Sequence, residues 1–102
     1  MSKIQSVRGT HDLIGSDYLL YNHIRKVIFE LADNHDYYEI ETPIFENSEL
    51  FKKPLGEFSD VVLKEMYSFN DRNQTSLTLR PEYTIPIIRA SISNNLLNYL
   101  PV

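Results

Sequence analysis

The sequence predicts an α+β fold, with helix-patterned segments near both ends and short strands between them. Apolar residues recur at a helical period over 17–34 and again after Pro81, and three short runs around 38–42, 66–69 and 76–79 alternate in polarity. At 102 residues the chain has the size of one small domain spanning 1–102. A domain of that size buries only about 60–70% of its extended-chain surface, so a single core is expected.

Residues 1–15 hold Arg8-Gly9-Thr10-His11-Asp12, with Gly9 and Gly15 marking turns in an extended lead-in. Ser16 reads as an N-cap with Asp17 in the first turn, and Leu20, Ile24, Val27, Ile28 and Leu31 then share one helical face. The helix is expected from Asp17 to Asn34. Asn22, Arg25, Lys26, Glu30 and Asp33 line its other face, so burial against a sheet should stabilise it more than intrinsic propensity.

After a turn at Asn34-His35-Asp36, Tyr38, Ile40 and Thr42 alternate with Glu39 and Glu41, which predicts a half-buried strand up to Pro43. Pro43 has no N–H to donate, so it marks an edge, a strand terminus or a seam against another chain. A short helix is expected over Glu46–Lys53, ended by Pro54-Leu55-Gly56; residues 57–65 give no clear pattern. Met66–Phe69 and Ser76–Leu79, separated by the polar stretch 70–75, predict a hairpin with a longer loop. Beyond Pro81, Ile85, Ile88, Ile92 and Leu96 recur at helical spacing, with Thr84 as the cap and Pro86 tolerated in the first turn. Asn94-Asn95 and Pro101 mark the end of that helix.

Composition excludes several classes of function. With 42% apolar and 24% charged residues the chain is ordinary for a soluble globular protein, and no apolar run approaches a membrane span. The N-terminal residues lack the long apolar centre of a secretory signal and cysteine is absent, so a cytoplasmic location is expected, without disulfides or thiolate zinc sites. A net charge of −4 argues against a broad electrostatic grip on nucleic acid; the Lys52-Lys53 pair reads as a solvated surface pair.

The chemistry-bearing candidates are few. Glu82 stands between a strand end and a helix start, beside Arg80 and Thr84. Two readings stand on spacing alone. The carboxylate can receive a ligand ammonium through charge-assisted hydrogen bonds, with the Thr84 hydroxyl as a second acceptor. Alternatively, Glu82 lies there because carboxylates are favoured at helix N-termini, and Thr84 is only a cap. Glu39 and Glu41 share a strand face in the predicted strand, either as an acid–base pair or as solvated alternation. His11, His23 and His35 fall twelve residues apart, a spacing that assembles no metal cluster; surface or capping roles are expected. No Gly-rich phosphate loop, no His-Glu-x-x-His and no nucleophile triad is evident.

Five blocks taken together, in order and spacing, resemble histidyl-tRNA synthetases. They are Arg8–Asp12, Glu41-Thr42-Pro43-Ile44-Phe45-Glu46, Gly56–Val62, Lys64-Glu65-Met66-Tyr67-Ser68-Phe69 and Thr78-Leu79-Arg80-Pro81-Glu82-Tyr83-Thr84. The resemblance covers essentially the whole chain. It implies the N-terminal part of a class II synthetase catalytic domain, an antiparallel sheet flanked by helices that works as a homodimer with Pro43 at the dimer seam. It also implies that Glu82 and Thr84 hold the amino group of substrate histidine. Tyr83 occupies the intervening position in that histidine-binding stretch, where many family members carry a small residue such as glycine.

The implied reaction joins histidine to ATP, with Mg2+, to give histidyl-adenylate, and then transfers the acyl group to tRNA-His. The cationic groups expected to stabilise the phosphoryl step are not matched by any residue here, so the chain alone is expected to be inactive, to carry no catalytic residue and to hold neither ATP nor Mg2+. The alternative is a non-catalytic paralogue of the synthetase, such as the regulatory subunit of ATP phosphoribosyltransferase; Lys64–Arg72 resembles the synthetase more closely. A third reading is a naturally short binding or dimerisation module.

Overall fold

The computed structural model describes residues 3–56, 59 and 64–98. The expectations for 57–58 and 60–63, including most of the Gly56–Val62 block, and for Pro101 lie outside the described residues. The chain divides into two units, Met1–Glu39 and Ile40–Val102.

In the first unit, a turn closed by the Thr10 N–H on Val7 O at 2.9 Å, with Gly9 at φ 88°, leads into helix α1, Gly15–Asn34. The helix starts earlier than Ser16 allows as a cap. Gly15 takes φ 61°, open to glycine without a Cβ penalty, so the turn closes on Ile14 and Ser16 falls inside the first turn. At the far end the Tyr37 N–H reaches Ala32 O at 2.9 Å, with Asp36 left-handed at φ 61°. His35 Nδ1–H donates to Leu31 O at 2.9 Å, so this histidine takes the capping role. No residue of α1 is buried. Ile28, Leu31, Ala32, His35 and Tyr37 border a shallow apolar depression of about 430 Å3.

The second unit is built on a three-stranded antiparallel sheet in the order β1-β3-β2. Its strands are β1 (Phe45–Asn47), β2 (Ser68–Asn70) and β3 (Ser76–Leu79). The hairpin expected from the alternation of 66–69 and 76–79 is β2–β3, in the register Ser68↔Thr78, Phe69↔Leu77 and Asn70↔Ser76. Asp71 organises its loop: Oδ1 accepts the N–H groups of Asn73 and Thr75 at 2.8 and 2.9 Å. Strand β1 pairs with the other edge of β3, Phe45↔Leu79, Glu46↔Thr78 and Asn47↔Leu77.

The strand expected over 38–43 is not formed. Alternation there predicts an extended segment without supplying a partner, and the ladder begins only at Phe45. Tyr38 and Ile40 are exposed. Glu46 consequently belongs to β1 and not to a helix. Helix α2 runs Glu49–Leu55 and accommodates Pro54 in its last turn, stopping at Gly56, whose φ of 85° departs from helix geometry. The Asn47 side chain accepts the Glu49 N–H at 3.0 Å at its start.

Helix α3 covers Thr84–Ser93 and ends at Asn94, where the backbone N–H and Nδ2 both reach Ala90 O. Asn95 follows at φ 55°, and a single 3-10 turn spans Leu96–Asn98. The buried residues of α3 are Pro86 and Ala90, whereas Ile88 and Ile92 stay exposed.

The two faces of the sheet are chemically unlike. Pairing puts Phe45, Leu77, Leu79 and Phe69 on one face, with Phe45 and Phe69 edge to face at 5.9 Å. Glu46, Ser76, Thr78 and Ser68 occupy the other. The buried interior lies on this polar face: Phe51 and Ser48 of the α2 segment and Thr78 of β3 are fully buried. A chain of hydroxyls links it, Ser76 to Ser48, Ser48 to Thr78 and Thr78 to Ser68, each at 2.7 Å. The buried hydroxyls of Ser48 and Thr78 thereby have partners, as burial requires.

Candidate functional site

The junction between β3 and α3 is assembled by backbone pairing that continues one residue beyond the strand: the Arg80 N–H donates to Ile44 O at 2.9 Å. The Arg80 side chain then crosses to the segment entering β1. Its Nη1 donates to Thr42 O at 2.7 Å and Pro43 O at 3.2 Å. The Tyr83 ring lies against the guanidinium, with Cζ 4.7 Å from the ring centroid. Pro43 lies outside the ladder, just before β1, where its missing N–H costs no strand pairing.

Pro81 ends the extended stretch, and the chain turns so that Glu82 folds over the first turn of α3. Oε2 accepts the Thr84 N–H at 2.8 Å and Oε1 the Ile85 N–H at 2.9 Å. Glu82 is thus the cap expected of Thr84, and the Thr84 side chain makes no cap bond. Satisfying two of the unpaired N–H groups at a helix start stabilises it, and a negative charge there is favoured further by the helix dipole.

The carboxylate keeps capacity for a ligand. Its two oxygens offer about four lone-pair sites, of which the two backbone bonds use two. Glu82 is half-buried and Thr84 exposed. The Thr84 hydroxyl has no hydrogen-bond partner among the described residues. A fixed carboxylate next to an uncommitted hydroxyl suits an ammonium group: the anion supplies charge and both groups supply acceptors. The two readings open from spacing, cap and amine acceptor, are geometrically compatible.

Other candidates are dispersed. Glu39 lies 3.8 Å from Arg25 in an exposed pair, and without a strand at 38–43 the shared face proposed for Glu39 and Glu41 is lost. Among the described residues no group of three or more His, Asp or Glu side chains forms a metal site. Sequence reading missed Glu46 and Arg89, which meet at 2.7 Å from β1 and α3, 43 residues apart. They border a groove of about 630 Å3 with Asn47, Glu49, Leu50, Lys53 and Pro54. No local pattern signals a pair that distant. No helix among the described residues is long and apolar enough to cross a membrane.

No family model matches the chain. Similarity to individual proteins is extensive. The histidine–tRNA ligase of Gluconacetobacter diazotrophicus is 50% identical over 101 residues, 99% of this chain and 24% of that protein. The chloroplastic histidine–tRNA ligase of Porphyra purpurea is 46% identical over 96 residues, 94% of this chain and 22% of that protein. In structure, apo histidyl-tRNA synthetase of S. aureus matches with a TM-score of 0.81 at 33% identity, over 98% of this chain and 23% of that one. A Bacillus halodurans protein described as an ATP phosphoribosyltransferase regulatory subunit/histidyl-tRNA synthetase matches with a TM-score of 0.76 at 24% identity, over 100% of this chain and 26% of that one. At that identity the likeness bears on fold alone. The helices and antiparallel sheet are those of part of a synthetase domain, and along its whole length the chain is homologous to histidyl-tRNA synthetases, spanning about a quarter of the relatives it matches.

Proposed function

We propose that this chain forms the N-terminal portion of a class II histidine–tRNA ligase catalytic domain and contributes the wall that holds the amino group of histidine. The observation that carries the reading is Glu82, half-buried and fixed by the Thr84 and Ile85 N–H groups, beside a Thr84 hydroxyl that is exposed and has no partner among the described residues. Glu82 accepts the ammonium through its remaining lone pairs and Thr84 adds a neutral acceptor, while Tyr83 lies between them. Fixing the ammonium orients the substrate carboxylate for attack on ATP, a positioning contribution that needs no proton transfer by this chain. ATP, Mg2+, tRNA-His and a homodimer with Pro43 at its seam belong to the complete ligase. The chain alone is inactive in this reading.

Titration of the chain with L-histidine, followed by backbone amide NMR, tests the proposal. Weak binding is expected, with shifts centred on the Thr84 and Ile85 amides and lost in Glu82→Ala. The des-amino analogue, imidazole propionate, should leave those amides unmoved. Equal responses to the two compounds would overturn the assignment of the ammonium to Glu82.

The likeness of fold to the Bacillus halodurans protein favours a second reading, a synthetase paralogue that keeps a histidine pocket without aminoacylation. Histidine-dependent exchange of pyrophosphate into ATP by a polypeptide of family length carrying this sequence separates the two. Exchange supports the ligase, and histidine binding without exchange supports the paralogue.

A further inference from the structure

Arg80 is held from three directions. Its backbone N–H is bonded to Ile44 O, its Nη1 spans the carbonyls of Thr42 and Pro43, and its guanidinium lies against the Tyr83 ring. Glu82, whose carboxylate fixes the start of α3, stands between Arg80 and Tyr83 in sequence. The segment entering β1 and the strand-to-helix junction are therefore joined through one side chain.

We propose that Arg80 is the positioning residue of the Glu82–Thr84 site, and that Tyr83 serves that site by clamping Arg80. The inference rests on the amine-holding reading of Glu82 for its functional meaning. Guanidinium geometry suits the task. Its planar fork delivers N–H groups to carbonyls on one side while leaving a flat cationic face for an aromatic ring, a combination an ammonium does not reproduce. Half-buried Arg80 spends no charge on a carboxylate; among the described residues its partners are neutral carbonyls and a ring. Glu82 therefore keeps its negative charge available, although a cation lies two residues away. Any shift of 42–44 is transmitted through Arg80 to the turn that carries Glu82, and a partner bound at Pro43 would act on the pocket by this route.

Tyr83 gives the proposal its chain-specific test. The ring, not the hydroxyl, is the part that engages Arg80, so Tyr83→Phe should behave as the parent and Tyr83→Leu should not. Amide hydrogen exchange on the intact chain reads the opening of the Glu82 cap directly at the Thr84 and Ile85 N–H groups. In Tyr83→Leu these two amides should exchange about two- to fivefold faster, the loss expected for an exposed cation–π contact. In Arg80→Lys they should exchange roughly tenfold faster or more, because hydrogen bonds from a charged donor are lost as well. The amides of Phe69 and Asn94, away from the junction, should keep their rates in both variants. Unchanged exchange at Thr84 and Ile85 in both variants, or loss of protection in Tyr83→Phe equal to that in Tyr83→Leu, would overturn the proposal. These rates need no histidine. If protection falls as expected but histidine leaves the parent amides unmoved, the brace stands and the amine-holding reading fails.

Discussion

The hydroxyls of Ser48 and Thr78 lie 2.7 Å apart, and both residues are fully buried. Thr78 also meets Ser68 at 2.7 Å, so a single side chain on the central strand ties the α2 entrance to the opposite edge strand. Thr78→Val keeps the shape but removes two hydrogen bonds, leaving the buried Ser48 hydroxyl with Ser76 alone and the exposed Ser68 hydroxyl to water. Each lost hydrogen bond costs about 0.5–1.5 kcal/mol. Thr78→Ser retains the hydroxyl and loses one methyl, about 0.8 kcal/mol. Urea unfolding followed by circular dichroism should therefore rank parent, serine and valine in falling stability, and valine matching the parent would show that the hydroxyl chain does not stabilise this core.

Glu46 and Arg89 should behave unlike the exposed pair of Arg25 and Glu39. The Glu46 side chain is only 11% exposed and that of Arg89 31%, at a separation of 2.7 Å. Arg89 Nε, moreover, is buried without a partner among the described residues. Glu46→Ala leaves the guanidinium still less satisfied, with an expected loss of about 1.5–3 kcal/mol for a hydrogen bond to a charged group. A double-mutant cycle with Arg89→Met measures the coupling; a value below about 0.5 kcal/mol would place the pair with ordinary surface bridges. Arg25 and Glu39, 3.8 Å apart and half or more exposed, provide that comparison, and Glu39→Ala should change stability by less than about 0.5 kcal/mol.

These cases show where the sequence was informative. Helix α1 and the β2–β3 hairpin were legible because period and turn chemistry are local, and the polar loop 70–75 spaces two short runs that pair only with each other and β1. Residues 38–43 misled because alternation specifies an extended chain while a ladder requires a partner, which begins at Phe45. Glu46 went unread for the same reason, its partner being 43 residues away. At the candidate site the sequence singled out Glu82 and Thr84, but assigned the cap to the wrong one. The hydroxyl of Thr84 is nearer the helix in sequence, whereas the longer Glu82 side chain folds back to reach two N–H groups at once. The clamp of Tyr83 on Arg80 left no local signal, since the spacing of an aromatic three residues after an arginine does not say that the two side chains meet.

Glu82→Gln separates the structural from the binding role of this residue. The amide oxygen still accepts one backbone N–H, but the NH2 group cannot accept the other, so one of Thr84 and Ile85 loses its partner. The loss in stability should match that of a helix cap, about 0.5–2 kcal/mol. Histidine-induced shifts at the same amides should vanish, because the charge that attracts the ammonium is gone. Persistence of those shifts in a variant that remains folded would mean that the ligand is held elsewhere.

Helix α1 supplies the strongest expectation for behaviour in solution. Isolated helices shorter than about 12–15 residues are marginal in water even when alanine-rich, and in proteins tertiary packing of an apolar face supplies most of a helix's stability. Over its 20 residues, Leu20, Ile24, Val27, Ile28 and Leu31 all stay at least half exposed. Phe45, Phe69 and Leu79 on the open sheet face are each more than 40% exposed as well. Burying apolar surface gains about 25 cal/mol per Å2, so contact between such faces on separate copies is favourable at modest concentration. Sedimentation velocity of the chain should show concentration-dependent association. Ile24→Glu combined with Ile28→Glu charges the apolar stripe one helical turn apart and should shift the distribution toward monomer, whereas Lys26→Glu on the polar face should not. If the parent chain is monodisperse and melts cooperatively as a monomer, these faces are not adhesive, and α1 owes its stability to something other than burial.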